Sequence, residues 1–282
     1  MTAPGLADVL ALQRPNGAFP SIVGDGGERI ADETCFVTAS VVLLLAPHEA
    51  ARPACERALD FIERCEAPDA PGAFGFYPAD GSGPRVVDRL PPDADDTALA
   101  WLALLAMGRR GVDAARAAFR DRIGPASRRI VPGTAPPWTR PGAVRTWLVE
   151  QGPRNPVDLV VNANVAAFAA RIGETGHAAF DGACDSLLAA ARSGHDPRLC
   201  GRMMAPFYAS ISELRLAVLR AVALGADVLA PCLGWLARAG EAGDALRPDQ
   251  PLYCNQHGRP VWRSPALQLA RGFAAAHPTS GG

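Results

Sequence analysis

The chain reads as all-α, a single α/α toroid (barrel) of about five to six inner and outer helix pairs. Three observations lead there. Two kinds of helical segment alternate, the apolar ones begin roughly 50 to 65 residues apart in the manner of a repeat, and Gly (28) and Pro (26) collect between segments rather than inside them. In chain order the segments apolar on nearly every face are "TCFVTASVVLLLA" from Thr34, "TALAWLALLA" from Thr97, "LVVNANVAAFAA" from Leu159, "ISELRLAVLRAVAL" from Ile211 and "SPALQLARGFAAA" from Ser264. Between them stand the amphipathic segments "ACERALDFIERC" from Ala54, "VDAARAAFRDRI" from Val112, "AAFDGACDSLLAAARS" from Ala178 and "ADVLAPCLGWLARA" from Ala226. A helix apolar all round must be enclosed, whereas an amphipathic one can face water. Alternation therefore predicts an inner ring wrapped by an outer one, as in stacked-repeat architectures. Little reads as strand; the Val-rich "DLVVNANV" could be one, but its neighbours favour helix.

Composition narrows the function. The formal net charge is -1 with no basic block, which argues against nucleic-acid binding. All 28 basic residues are Arg, so lysine Schiff-base chemistry is excluded. No signal peptide and no membrane-length apolar run is visible, and the 7 Cys are scattered singly, as suits reduced thiols in a cytoplasmic protein. The length fits one domain over 1–282, in which the Pro/Gly-rich stretch 124–157, with Trp138 and Trp147, reads as a candidate lid. Loops "QRPNGAFP" from Gln13, "APGAFGFYP" from Ala70 and "HGRPVW" from His257 each place an aromatic after a Gly, a pattern expected of loops pinned to the toroid by a ring.

The stretch "RLPPDADDTALAWLALLAMGRR" from Arg89 carries three acids. Pro91 and Pro92 end any preceding helix, Asp93 suits an N-cap, and Asp95 and Asp96 fall in the first turn. As caps they would simply meet the positive end of the helix dipole. One cap suffices, however, and three acids at the mouth of a buried helix should have at least one pKa raised, as a general acid near neutral pH requires.

"DADDTA" (93–98) resembles the D-x-D-D-T-A signature of class II terpene cyclases, the squalene-hopene and copalyl-diphosphate type, and "QRPNGAF" (13–19) is similar to their Q-x3-G-x-W loop repeat, with Phe for Trp. The resemblance implies an α/α toroid and an acid-initiated cyclisation. Asp95 would protonate an alkene of an isoprenoid or related apolar substrate, while Asp93 and Asp96 tune it. It also implies a cavity with aromatic faces turned to cations, for which Phe36, Trp101, Phe168, Phe207 and Tyr208 are the candidates. No cofactor is implied, save Mg²⁺ if the substrate is a diphosphate. Members of the family commonly join two toroids, so a homodimer is the arrangement that would supply a second.

Other polar residues sit in apolar places. Asn162 and Asn164 follow Asp158 on one segment; Asp158 and Asn162 share a face. Either Asn can hold the acid's proton or position a water, or serve as a satisfied core amide. Asp32 and Glu33 read as opening the first inner helix and, with Asp25 and Glu28, as a Mg²⁺ mouth for a diphosphate. Glu213 and Arg215 either pair across the toroid or meet a charged end of the substrate, and Arg140, Arg145 and Arg154 flank the Trp loop as anion ligands or solvated side chains. Two rival readings stand beside the cyclase. One is a toroid-fold zinc enzyme, lanthionine-cyclase- or prenyltransferase-like, using Cys200, Cys254 and His257. The other is a non-catalytic small-ligand binding protein whose acids are caps.

Overall fold

A computed structural model describes residues 4–24, 29–87, 90–149, 155–238, 250–255 and 257–278, apart from the side chains at 199 and 200. Its helices are α1 (Leu6–Leu10), α2 (Cys35–Leu45), α3 (Arg52–Arg64), α4 (Ala94–Ala106), α5 (Val112–Ala118), α6 (Gly124–Ala126), α7 (Leu159–Ile172), α8 (Ala178–Arg192), α9 (Pro197–Met204), α10 (Ile211–Ala223), α11 (Ala230–Ala237) and α12 (Pro265–Ala276). The segments read as apolar all round are α2, α4, α7, α10 and α12. In α4 every residue from Ala94 to Leu104 is buried, and in α7 every residue from Leu159 to Ala169.

These five form the inner ring of an α/α toroid. Helix α12 packs on α2, α2 on α4, α4 on α7 and α7 on α10. Between α10 and α12 the ring is bridged by Glu213, whose carboxylate accepts from both terminal nitrogens of Arg271 at 2.9 and 2.7 Å. The amphipathic helices lie outside: α3 on α2, α5 and α8 on α7, α11 on α10 and α8. Helix α1 packs on α12 and so joins the two ends of the chain. The Val-rich stretch is helix from Leu159 on, with Asp158 as its extended cap.

Each inner helix is capped by a side chain that accepts a backbone N–H of the first turn: Thr34, Asp93, Asp158, Ser210 and Ser264. Four residues past three of these caps stands a second polar side chain, and it holds the loop arriving from the preceding outer layer. Thr38 Oγ1 accepts from Phe19 N at 3.2 Å, Thr97 Oγ1 from Phe74 N at 2.9 Å, and Asn162 Oδ1 from Val144 N at 2.9 Å. Asn162 Nδ2 returns a bond to Val144 O. Thr97 of "DADDTA" and Asn162 are thus equivalent loop anchors.

One expectation is corrected here. Asp32 and Glu33 do not begin a helix; they end strand β2 (Ile30–Glu33), which pairs antiparallel with β1 (Pro20–Val23), Pro20 opposite Glu33. Strand β3 (Trp262–Arg263) adds to the other edge of β1. The chain turns inward here in alternation, with Ser21 and Val23 buried on β1, a two-residue period that a helix does not provide. Asp32 accepts from Trp262 Nε1 at 2.6 Å and Tyr77 Oη at 3.0 Å, and Glu33 accepts from Asn16 Nδ2 at 2.7 Å. Asp25 and Glu28 lie outside the described residues.

The loop pattern has a steric basis at Gly17. Its φ is +93°, and a Cβ there would sit 1.9 Å from the Arg57 carbonyl oxygen of α3. Gly17→Ala should therefore destabilise the fold by more than about 2 kcal/mol. Gly108→Ala, at φ +67° with nothing within 4 Å, should lose only the left-handed backbone penalty of roughly 1–2 kcal/mol. Urea unfolding of the two variants checks this; equal losses would remove the close-approach argument.

Candidate active site

Because each outer helix carries the chain back, the inner helices all enter from one end, and a cavity of about 500 Å³ opens at that end. First-turn residues make its floor: Phe36 of α2, Asp95 and Asp96 of α4 beside the cap Asp93, and Val161 of α7. Phe207 and Tyr208, just before α10, and Tyr253 and Trp262, before α12, form one wall. Phe76 and Trp147 complete the rings. The Trp147 ring meets Phe207 edge-on, with centroids 5.5 Å apart, and Phe36 meets Tyr253 the same way at 5.2 Å.

Trp147 is held in place by backbone pairing rather than left on a free loop. Ala94 N donates to Thr146 O at 2.8 Å and Leu148 N to Pro92 O at 2.9 Å, so the stretch around Trp147 runs alongside the acids. Asn155 clamps the same residue with a bond to each side of its backbone, at 2.8 and 2.7 Å. Of the candidate lid 124–157, residues 146, 147 and 149 line the cavity, while Trp138 is buried against His195. Arg140 donates to the loop carbonyls of Pro137 and Thr139 and Arg145 to the carbonyl of Ala126 at the end of α6, and Arg154 lies outside the described residues.

The three acids are not equivalent. Asp93 is the cap, accepting Asp96 N at 2.7 Å. Asp96 keeps one buried oxygen without a partner, and burial together with the charge of Asp93 pushes its carboxyl well above the usual range. Burial also raises Asp93. Asp95, 5% exposed, is raised by burial too, but its neighbours oppose the rise. Tyr208 hydrogen-bonds Oδ2, Asn164 Nδ2 donates to Oδ1 at 2.6 Å, and Arg220 adds a favourable charge. Asp95 is thus raised by burial and at the same time provided with a phenol, an amide and a cation that stabilise it once the proton has left.

Among the predicted site residues, the structure brings together Asp93, Asp95, Asp96, Asn164, Phe36, Phe207 and Tyr208. It separates four others. Asn162 is committed to the Val144 backbone. Trp101 and Phe168 stack on each other at 6.4 Å away from the cavity, with Trp101 Nε1 bonded to Gly72 O, because their helix positions face neighbouring helices rather than the open end. Glu213 is closed in its bidentate pair with Arg271, so it is not placed to receive a substrate. Sequence reasoning passed over Phe76, Tyr253 and Arg220. The loop patterns around Phe76 and Trp262 were visible, but as packing signals.

Among the described residues no group of three or more His, Cys, Asp or Glu side chains is placed to hold a metal ion. Cys254 lines the cavity and its thiol faces Pro206 O, His257 lies on the exposed turn after it, and the side chain of Cys200 is outside the described residues. No described helix is long and apolar enough to cross a membrane.

No family model and no curated protein matches the chain. Among solved structures it is similar in fold to type II terpene cyclase MstE from Scytonema in its apo form, at 15% identity and a TM-score of 0.48, over 97% of this chain and 96% of that one. It is likewise similar to a protein from Actinoplanes, at 18% identity and a TM-score of 0.48, over 96% of each chain. A variant of the Scytonema cyclase in complex with its product, merosterolic acid A, matches at 16% identity and a TM-score of 0.45, over 96% of this chain and 94% of that one.

Asp158, the cap of α7, supplies a pH signature. It accepts from Val160 N at 2.8 Å and Phe207 N at 3.1 Å, yet burial pushes its carboxyl up to about 7. The unfolded chain releases this proton near pH 4 and the folded chain holds it to about pH 7. Stability attributable to Asp158 is therefore full below about pH 4, falls between the two values and is level above. Asp158→Asn removes the titration at the fixed loss of the bond from Phe207 N. The unfolding free energy of the wild type should fall relative to the variant by on the order of 2–4 kcal/mol between pH 4 and 7.5. Urea unfolding curves that stay parallel would refute the assignment.

Proposed function

We propose that the protein is an acid-initiated cyclase of the class II terpene-cyclase type, acting on an isoprenoid or related apolar substrate. The observation that carries this reading is Asp95: a carboxyl kept protonatable by burial, at the floor of an aromatic cavity, inside a "DADDTA" motif. The proton on Oδ2 passes to a terminal alkene carbon, which leaves Asp95 as carboxylate and the substrate as a tertiary cation. Asn164 and Tyr208 donate to the new carboxylate, and Arg220 lies beyond them. Electrostatic stabilisation of the conjugate base is what makes a carboxyl acidic enough for an alkene.

Ring closure follows while the cation lies between aromatic faces. Phe36, Trp147, Phe207 and Tyr208 provide negative ring potential without a nucleophilic atom, except for the phenol already bonded to Asp95. The apolar lining keeps water from quenching the cation early. Loss of a proton ends the sequence and restores the acid, so substrate and product are isomers and no cofactor is consumed. Mg²⁺ enters only as a counter-ion if the substrate carries a diphosphate.

Asp95→Asn preserves the shape and the bond from Asn164 but removes the proton, and it should lower turnover at least about 1,000-fold. Wild type and variant are incubated with geranyl, farnesyl and geranylgeranyl diphosphates, with the matching alcohols and with squalene, each with and without Mg²⁺. Products are read by gas chromatography and mass spectrometry. A cyclised isomer from wild type alone supports the proposal; an equally active variant sinks it.

A further inference from the structure

Asp32 is a buried acid that the proposed reaction does not use. It stands on β2, 0% exposed, and does not line the cavity. The three-stranded sheet brings it to the edge of a ring that does. Ser21 of β1 lies opposite Asp32, and Val23 of the same strand lies opposite Trp262 of β3. Across that central strand Asp32 Oδ2 accepts the indole N–H of Trp262 at 2.6 Å. Trp262 thus lines the cavity while its Nε1 edge is held by a carboxyl group outside the lining.

That group has the surroundings of a carboxylate. Oδ2 also accepts from Tyr77 Oη at 3.0 Å, and Oδ1 accepts from Glu33 N at 3.2 Å. The Tyr77 hydroxyl in turn accepts from Val86 N at 3.4 Å, which leaves its proton for Asp32. An indole or backbone N–H can only donate. Burial raises the carboxyl, and all three donors pull it back.

Position along the wall gives the bond its meaning. Tyr208, bonded to Asp95, is followed by Phe36 at 5.9 Å, Tyr253 at 5.2 Å and Trp262 at 5.3 Å, ring centroid to ring centroid. Trp262 ends this line of rings, stacked on Tyr253 with planes 27° apart. Tyr253 is fixed in turn by Thr34 Oγ1 at 3.1 Å and Ser21 Oγ at 3.4 Å. A cation is drawn to an aromatic face by the ring quadrupole, and to indole most strongly. A negative charge accepting the indole N–H polarises the ring and deepens that attraction.

We propose that Asp32 is a positioning residue for a cation subsite on Trp262: it fixes the indole at the end of the ring line opposite Asp95 and makes it the preferred resting place for positive charge. The ligand class is a tertiary carbocation, or a quaternary ammonium of the same shape. The inference rests on the cyclase reading for the cation formed in turnover, but its test uses an ammonium and no reaction.

The probe is (6-hydroxyhexyl)trimethylammonium, with 7,7-dimethyloctan-1-ol as its uncharged isostere. Each is titrated at pH 8 by calorimetry, and the ¹⁵N-indole resonance of Trp262, identified by its absence in Trp262→Phe, is followed alongside. The wild type should prefer the ammonium, whose addition should displace that resonance. Asp32→Asn keeps an acceptor for the indole but not the charge. Preference for the ammonium should fall about fivefold, with alcohol binding unmoved and the indole proton displaced upfield. In a Trp262→Phe background the same change should have much less effect. Tyr77→Phe frees Oδ2 of its second donor and should act in the opposite direction, with the indole proton downfield and a stronger preference. Circular dichroism checks that each variant is folded; should Asp32→Asn not fold, Tyr77→Phe decides alone. Equal losses for ammonium and alcohol, as a merely structural Asp32 would give, overturn the proposal. So does a wild type without preference, an unmoved preference in a folded variant, or an Asp32→Asn effect undiminished in Trp262→Phe. Absence of cyclised product from every prenyl substrate would count against the cyclase reading and leave these affinities as measured.

Discussion

Burial of the inner helices, on nearly every face in α2, α4 and α7 and on one face in α10 and α12, is the constraint on which everything else depends. A helix with no face for water has only its ends to offer polar groups, and here all five N-terminal ends come to one side. The caps Thr34, Asp93, Asp158, Ser210 and Ser264 satisfy the first turns, and the cavity is what remains between them.

This placement sets two effects against each other. A helix N-terminus favours a carboxylate by roughly 0.3 to 1 kcal/mol, while burial among apolar walls disfavours the charge by several times that amount. Burial wins for all four acids: the caps Asp93 and Asp158, their neighbour Asp96, and Asp95 are all raised. Asp95 differs because its surroundings give something back: a phenol, an amide and a cation. The difference between a structural and a reactive acid in the same motif lies in those three partners, contributed by α7, α10 and the approach to α10.

The pair between Glu213 and Arg271 belongs to the same arrangement. A buried ion pair is weak evidence of stability, since desolvation offsets much of its attraction, but removing one partner leaves an uncompensated charge. Its position between α10 and α12 closes the ring where helix packing is least extensive, and it takes Glu213 out of competition for Arg220. A structural salt bridge thereby leaves the second arginine available to Asn164.

Much of this was legible in the residues. Alternating apolar and amphipathic segments determined the two layers, because the number of faces a helix must bury is written in its own periodicity. The cap Asp93, the first-turn acids and the anchoring loops were local patterns of the same kind. Tertiary structure decided what depends on distance across the ring. Thr97 and Asn162 anchor loops rather than attend the acids, and Asp32 ends a strand to hold Trp262 and Tyr77. Trp101 and Phe168 face neighbouring helices while Phe76 and Tyr253 face the cavity. Arg220, 125 positions from Asp95, could not be linked to it by any spacing rule. Helix periodicity is a property of near neighbours in the chain, whereas the hydrogen bond that orients an amide depends on which helices the closed ring places side by side.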